Sequence, residues 1–278
     1  MKVLYDDISY KCSKIVTKHY STSFSFGIKM LNYGIRKHIY NIYGFVRLAD
    51  EIVDSFHDFE KEILLKKFRK DTFDSIEKKI SLNPILNSFQ HTVHTFNIDI
   101  EFINKFLDSM QMDLNKKKYN EDKYKQYIYG SAEVVGLMCL HVFLNGDKIL
   151  FDRLKSYAMR LGSAFQKVNF LRDINQDTSE LGRVYFPNVS INSFTNEQKN
   201  FIEEDIQKDF KVALEGIRQL PLSSRGGVYL AYIYYSTLFK KINNIPASVL
   251  IKKRIRINNL YKFILLIKSF IKNYFNLI

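Results

Sequence analysis

Two stretches of the chain set carboxylates into helices that are otherwise apolar. The first reads Arg47-Leu48-Ala49-Asp50-Glu51-Ile52-Val53-Asp54. Asp50 and Asp54 are four residues apart and share one helical face. Like charges at that spacing repel and weaken a helix unless something positive lies between them. Hard carboxylate oxygens on a rigid face suit Mg²⁺, or Mn²⁺ in its place. Mg²⁺ commonly takes one or two carboxylates and completes its shell with water and substrate phosphate. Taken alone, the pair also reads as a solvated face with Arg47 as a partial counter-charge.

The second stretch runs from Gly162-Ser163-Ala164-Phe165-Gln166 to Asn169 and on through Arg172-Asp173 to Asp177. Asn169, Asp173 and Asp177 form one stripe at i, i+4 and i+8, and Gln166 lies one turn before it. An amide ligates a cation through its carbonyl or holds a phosphate through its NH₂. The small residues Gly162, Ser163 and Ala164 let another helix come close. Two acidic faces on separate helices can point at each other across a cavity. Together they could hold several Mg²⁺ ions and, through them, a diphosphate.

The elements that must position these residues are helices. The chain has 278 residues, with only four Pro and eleven Gly. Sandwiches, barrels and doubly wound folds need more of both for their turns. Apolar spacing predicts helices near 6–20, 33–56, 59–80, 99–113, 121–144, 147–177, 195–219, 225–242 and 257–275, with a break at Gly182–Pro187. No repeat, linker or composition shift marks a boundary. The expectation is therefore one all-α bundle over residues 1–278 with a central cavity. Hydrophobic residues at 46% and charged residues at 26% exclude wholesale disorder.

Cys12 and Cys139 cannot form a disulfide scaffold or a four-ligand zinc site by themselves, and they read as small buried hydrophobes. No signal-peptide apolar region and no run of about 18 apolar residues is present, so a cytoplasmic protein is expected. The net charge is +13, and after Glu215 there is no acid, while eleven Lys and Arg lie between Arg218 and Lys272. Such a segment seeks anionic partners.

On these motifs the chain resembles the squalene/phytoene synthase family of head-to-head prenyl transferases, from about Tyr20 to Lys262. Tyr20-Ser21-Thr22-Ser23-Phe24 resembles its opening segment, where hydroxyls such as those of Ser21 and Ser23 contact diphosphate. Arg47…Asp50…Asp54 is similar to its first aspartate-rich motif, with Glu51 where a second Asp is common. Tyr129-Gly130-Ser131-Ala132-Glu133-Val134-Val135-Gly136 resembles its tyrosine-bearing helix, with Glu133 where Gly is usual. Gly162 to Asp177 is similar to its second signature, and Gly182-Arg183-Val184-Tyr185-Phe186-Pro187 to the lid that follows. Tyr235 and Arg254 resemble a tyrosine and an arginine of the diphosphate region.

The resemblance implies the isoprenoid-synthase bundle and two prenyl diphosphate substrates. Metal ions would sit on Asp50, Asp54, Asn169, Asp173 and Asp177. Ser21, Ser23, Gln166, Asn169, Tyr185 and Tyr235 would contact substrate. Arg47, Arg172, Arg183 and Arg254 would stabilise the leaving diphosphate, and Tyr129 would lie near the reacting carbons unless it is an ordinary core tyrosine. The 18 Tyr and 23 Phe supply π-faces that can shield a carbocation. Phytoene synthesis from geranylgeranyl diphosphate is the expected activity. Dehydrosqualene, squalene or presqualene diphosphate synthesis from farnesyl diphosphate is the alternative. With no G-x-G-x-x-G fingerprint, no NADPH is expected.

Two other partners follow from the basic tail. Lys252-Lys253-Arg254-Ile255-Arg256 invites nucleic acid, but inward-facing aspartates and the lack of a binding motif argue against it, and none is expected. From Lys262 to Ile278 the chain reads as a basic amphipathic helix. Lys262, Lys268, Ser269, Lys272, Asn273 and Asn276 fall on one half, and Phe263, Leu266, Ile267, Phe270, Ile271 and Tyr274 on the other. It would lie at the inner face of the cell membrane or pack its apolar half on the bundle.

Overall fold

The computed structural model describes residues 1–114, 119–179, 181–187, 189 and 193–278. The described residues form thirteen α-helices and one π turn. In chain order these are α1 (Lys2–Tyr20), α2 (Thr22–Lys29), α3 (Tyr33–Asp54), α4 (Lys61–Lys78), α5 (Pro84–Phe96), α6 (Ile100–Leu114) and α7 (Glu121–Ile128). The π turn (Tyr129–Glu133) leads directly into α8 (Val134–Phe143). Then come α9 (Lys148–Ser179), α10 (Asn196–Gln219), α11 (Leu222–Asn243), α12 (Ala247–Leu250) and α13 (Asn259–Tyr274).

The all-α expectation and the nine predicted helices match this order. Three elements were not anticipated. α5 is one, although its signals are present: the Asn83 side chain accepts from the Ile85 and Leu86 amides, and Pro84 opens the helix. α2 is another, capped by Ser21, which accepts from the Phe24 amide. The one-turn α12 is the third. The predicted helix 121–144 is real but carries the π turn in its middle.

Two apolar clusters flank the site. One joins α3, α5, α6 and α8 through Phe45, Phe89, Phe106 and Met138, all fully buried. Phe45 stacks on Phe89 at 3.9 Å between centroids. The other joins α9, α10, α11 and the segment after α9 through Val168, Leu171, Phe186, Ile206 and Ile242.

The π turn is squeezed between α6 and α9. A Cβ on Gly130 would lie 2.5 Å from the Lys105 carbonyl oxygen, and one on Gly162 would lie 2.6 Å from that of Ala132. Only glycine permits these approaches, as the small-residue run at 162–164 suggested.

Candidate active site

A cavity of about 910 Å³ runs between the clusters, and α3 and α9 present their acidic faces to it. Its polar end is lined by Ser21, Arg47, Asp50, Asp54, Gln166, Asn169, Arg172, Asp173, Asp177, Arg183, Tyr185, Tyr235 and Arg254. Its apolar end is formed by Ile28, Leu31, Val135, Cys139, Phe143, Leu161, Ile217 and Val228 among others. The two DxxxD faces, some 120 residues apart in sequence, thus share one space.

Charge is heavily paired at the polar end. Arg47 pairs with Glu51, and its guanidinium lies over the Tyr20 ring at 4.2 Å. Asp173 accepts from the Arg172 Nε at 3.0 Å and pairs with the Arg254 Nε at 2.7 Å. Arg183 is 5% exposed and donates to Asp54 at 2.6 Å. Its Nε lies 3.7 Å from Asp113. The segment after α9 is therefore clamped to α3 and α6.

Asp113 was not anticipated. Its carboxylate accepts from the hydroxyls of Tyr127 at 2.6 Å, Tyr185 at 3.0 Å and Tyr119 at 3.4 Å. Burial nonetheless pushes it up to about 6, against the pull of Arg183. One sequence signal was available. Asp113 continues the stripe Ile103, Phe106, Met110 of α6, an acid where the core pattern calls for an apolar residue. Tyr185 accordingly spends its hydroxyl on Asp113, while its ring stacks on Phe170 at 4.1 Å.

Two expected residues do not reach the cavity. Ser23 is not among its lining residues; Tyr20, Ser21 and Phe24 represent that segment. Tyr129 is also absent from the lining and packs instead against the α3–α6 cluster. Tyr127 lines the cavity instead, one helical turn before Ser131, at the start of the segment that the π turn continues.

No salt bridge among the described residues reaches Asp50 or Asp177. Burial and the neighbouring carboxylates Asp54 and Asp173 push each of them up to about 8. Two buried carboxyls without an ion pair of their own, each beside a second carboxylate, suit a divalent cation. Among the described residues no three His, Cys, Asp or Glu side chains converge on one point. An ion here would take one or two carboxylates and its remaining oxygens from water and phosphate, as Mg²⁺ does.

Aromatic rings stand between the acids and the apolar end. Tyr235 stacks on Phe165 at 3.9 Å, and its hydroxyl donates to the Asn169 Oδ1 at 3.3 Å. Phe24 closes on Tyr43 at 5.8 Å and on Tyr235 at 6.0 Å. Cys139 belongs to the apolar wall, where burial pushes its thiol up to about 12, so it stays neutral.

Glu133 lies outside the cavity lining, near a buried cluster in which Lys167 and Arg160 pair with Asp209. Burial pushes Glu133 from 4.5 up to about 7, against Arg160 and with Asp209 adding to the rise. The fold thus favours its protonated form, and the stability this adds is lost as pH rises from 4.5 through 7. Glu133→Gln cannot ionise. Urea unfolding should find it more stable than the unaltered chain by about 2 kcal/mol above pH 7. The gap should close below the unfolded pKa.

A profile of the squalene/phytoene synthase family matches residues 17–260. Phytoene synthase 1 of Zea mays is 27% identical over 261 residues, covering 87% of this chain and 62% of its own. This chain thus spans less than two thirds of that relative. The 4,4'-diapophytoene synthase of Staphylococcus haemolyticus is 28% identical over 75% of this chain and 72% of its own. A crystal structure of a dehydrosqualene synthase superposes with a TM-score of 0.81 over 98% of both chains at 18% identity, which speaks to fold. With the match extending over most of its length and both acidic motifs inside it, the chain belongs to the squalene/phytoene synthase family of prenyltransferases.

Proposed function

We propose that the protein joins two geranylgeranyl diphosphates head to head to give phytoene. The observation that carries this reading is the polarity of the cavity, with acids and guanidiniums at one end and a long apolar chamber at the other. The first end suits diphosphate and the second suits prenyl chains. A divalent cation held by Asp50 and Asp54, or by Asn169, Asp173 and Asp177, would supply Lewis-acid neutralisation of diphosphate charge.

The chain's own residues do the rest. As the first C–O bond breaks, the diphosphate leaves with the electron pair, and Arg47, Arg172, Arg183 and Arg254 face the charge that gathers on it. Phe24, Tyr43, Phe165 and Tyr235 offer ring faces to the allylic cation and keep water away. The double bond of the second chain attacks, and loss of a proton closes a cyclopropyl diphosphate. The second C–O bond then breaks, the skeleton rearranges, and a second proton leaves to form the central double bond. Two diphosphates depart and no electrons are supplied from outside.

Purified protein with Mg²⁺ and geranylgeranyl diphosphate should therefore yield a C40 hydrocarbon by mass spectrometry, at the same rate with and without NADPH. Accumulation of the cyclopropyl diphosphate, relieved only by NADPH, would place the protein among reductive synthases instead. The C15 reading draws on the diapophytoene synthase relative. A C30 product from farnesyl diphosphate at a clearly higher kcat/KM would establish it.

A further inference from the structure

The last helix docks through a mixed face, with Leu265 and Leu266 in an apolar cluster with Leu230 and Tyr234 and the polar Ser269 buried beside them. At about 100° per residue, Lys262, Leu265, Ser269 and Asn273 of α13 form one stripe. Phe263, Ile267, Phe270 and Tyr274 form a second one, about 120° around the helix. The first stripe faces the bundle: Leu265 is 7% exposed and Ser269 1%. Lys262 Nζ donates to the Thr22 hydroxyl at 2.9 Å, and the Lys262 carbonyl accepts from the Tyr234 hydroxyl at 2.8 Å. Arg225 donates to the Asn276 Oδ1 at 2.7 Å. Ser269 Oγ and Asn273 Oδ1 are buried with no hydrogen-bond partner.

An amphipathic helix on a bundle ordinarily buries its apolar stripe. Here that stripe is in solvent, with Leu260 at 73%, Phe263 at 51%, Phe270 at 57% and Tyr274 at 74% exposed. A contiguous apolar strip of this kind marks an interaction surface. Of the apolar half read from the sequence, Leu266 packs on the bundle, while Phe263, Ile267, Phe270, Ile271 and Tyr274 are exposed.

The charges around the strip select its partner. Lys268 and Lys272 are exposed on α13, Lys252, Lys253 and Arg256 are exposed in the segment that precedes it, and no acid follows Glu215 in the chain. A second copy meeting this face about a two-fold axis would bring these cations against their own counterparts. An anionic lipid surface satisfies both the cations and the apolar strip.

We propose that α13 lies in the plane of an anionic bilayer, its apolar stripe in the acyl boundary and its lysines at the headgroups. No helix among the described residues is long and apolar enough to cross a membrane, so the contact is peripheral. The helix also sits close to the cavity. Leu230 and Tyr234 of α11 pack toward α13, while Gly227, Val228 and Ala231 of the same helix line the cavity. One layer of helix separates the bilayer face from the apolar chamber.

The chain contains no Trp, so Phe270→Trp gives a single reporter. With phosphatidylglycerol–phosphatidylcholine vesicles its emission should shift to the blue and be quenched by brominated acyl chains. Sedimentation with these vesicles should fall about tenfold in the triple variant Phe263→Asp, Ile267→Asp, Phe270→Asp and in pure phosphatidylcholine. The melting temperature of the triple variant should be unchanged, because these side chains touch solvent. Three results would each overturn the proposal. The reporter could stay unshifted, the triple variant could sediment as the parent does, or the parent could be a dimer that this variant dissociates. None of these readouts depends on turnover, so they stand apart from the proposed reaction.

Discussion

Asp50→Asn and Asp173→Asn should each leave less than about a thousandth of the parent turnover, the loss that removal of a principal charge-stabilising group produces. Both side chains face the same diphosphate end of the cavity from different helices. The carboxamide keeps the shape and removes the charge. For Asp50 it also removes a group whose ionisation burial and Asp54 oppose, so thermal stability should hold or rise. For Asp173 it releases Arg172 and Arg254 from their ion pairs, and a small drop in melting temperature is expected. Single-turnover assays at saturating Mg²⁺ together with circular dichroism separate the two effects. Near-normal turnover in either variant would remove that residue from the ionisation machinery.

Arg183→Met should cost about 3–5 kcal/mol of folding stability, because it leaves Asp113 buried without its counter-ion. Arg183 holds Asp54 at 2.6 Å and also donates to the Val53 carbonyl at 3.4 Å and the Asp113 carbonyl at 3.3 Å. Adding Asp113→Asn should return part of the loss by removing the stranded charge. The measurement is urea unfolding of the two single variants and the double. If the double variant is less stable than Arg183→Met by the full cost of Asp113→Asn alone, the two groups are not coupled and the clamp has been misread.

Much of this architecture was legible in the chain. Helical spacing and scarce turn residues announced the bundle. Both acidic faces were visible because i and i+4 carboxylates on an apolar helix demand an explanation. The misses have local causes. Tyr129 is singled out by the resemblance of its segment to a tyrosine-bearing helix, whereas in the structure Tyr127 lines the cavity and Tyr129 packs on the α3–α6 cluster. Asp113 belongs to no motif: Tyr119 and Tyr127 follow it by 6 and 14 residues without a recognisable spacing, and Arg183 and Tyr185 lie 70 and 72 residues on. α2 was missed because eight residues are too few to display a period. The apolar half of α13 could be read from a helical wheel, but its direction depends on what Thr22, Arg225 and Tyr234 offer to the docked face.

The π turn divides one helical wall into two parts with independent phase. Before it, Tyr127 is keyed to Asp113 and so to the ionising end; after it, Val135, Gly136 and Cys139 are keyed to the hydrocarbon end. One added residue offsets the two by about 100°. Changes of side-chain bulk beyond Val134 can therefore resize the chamber without rotating the phenol away from its acid. Selection for a longer or shorter prenyl chain can act on one part of the wall while the chemistry of bond breaking is inherited intact from the other.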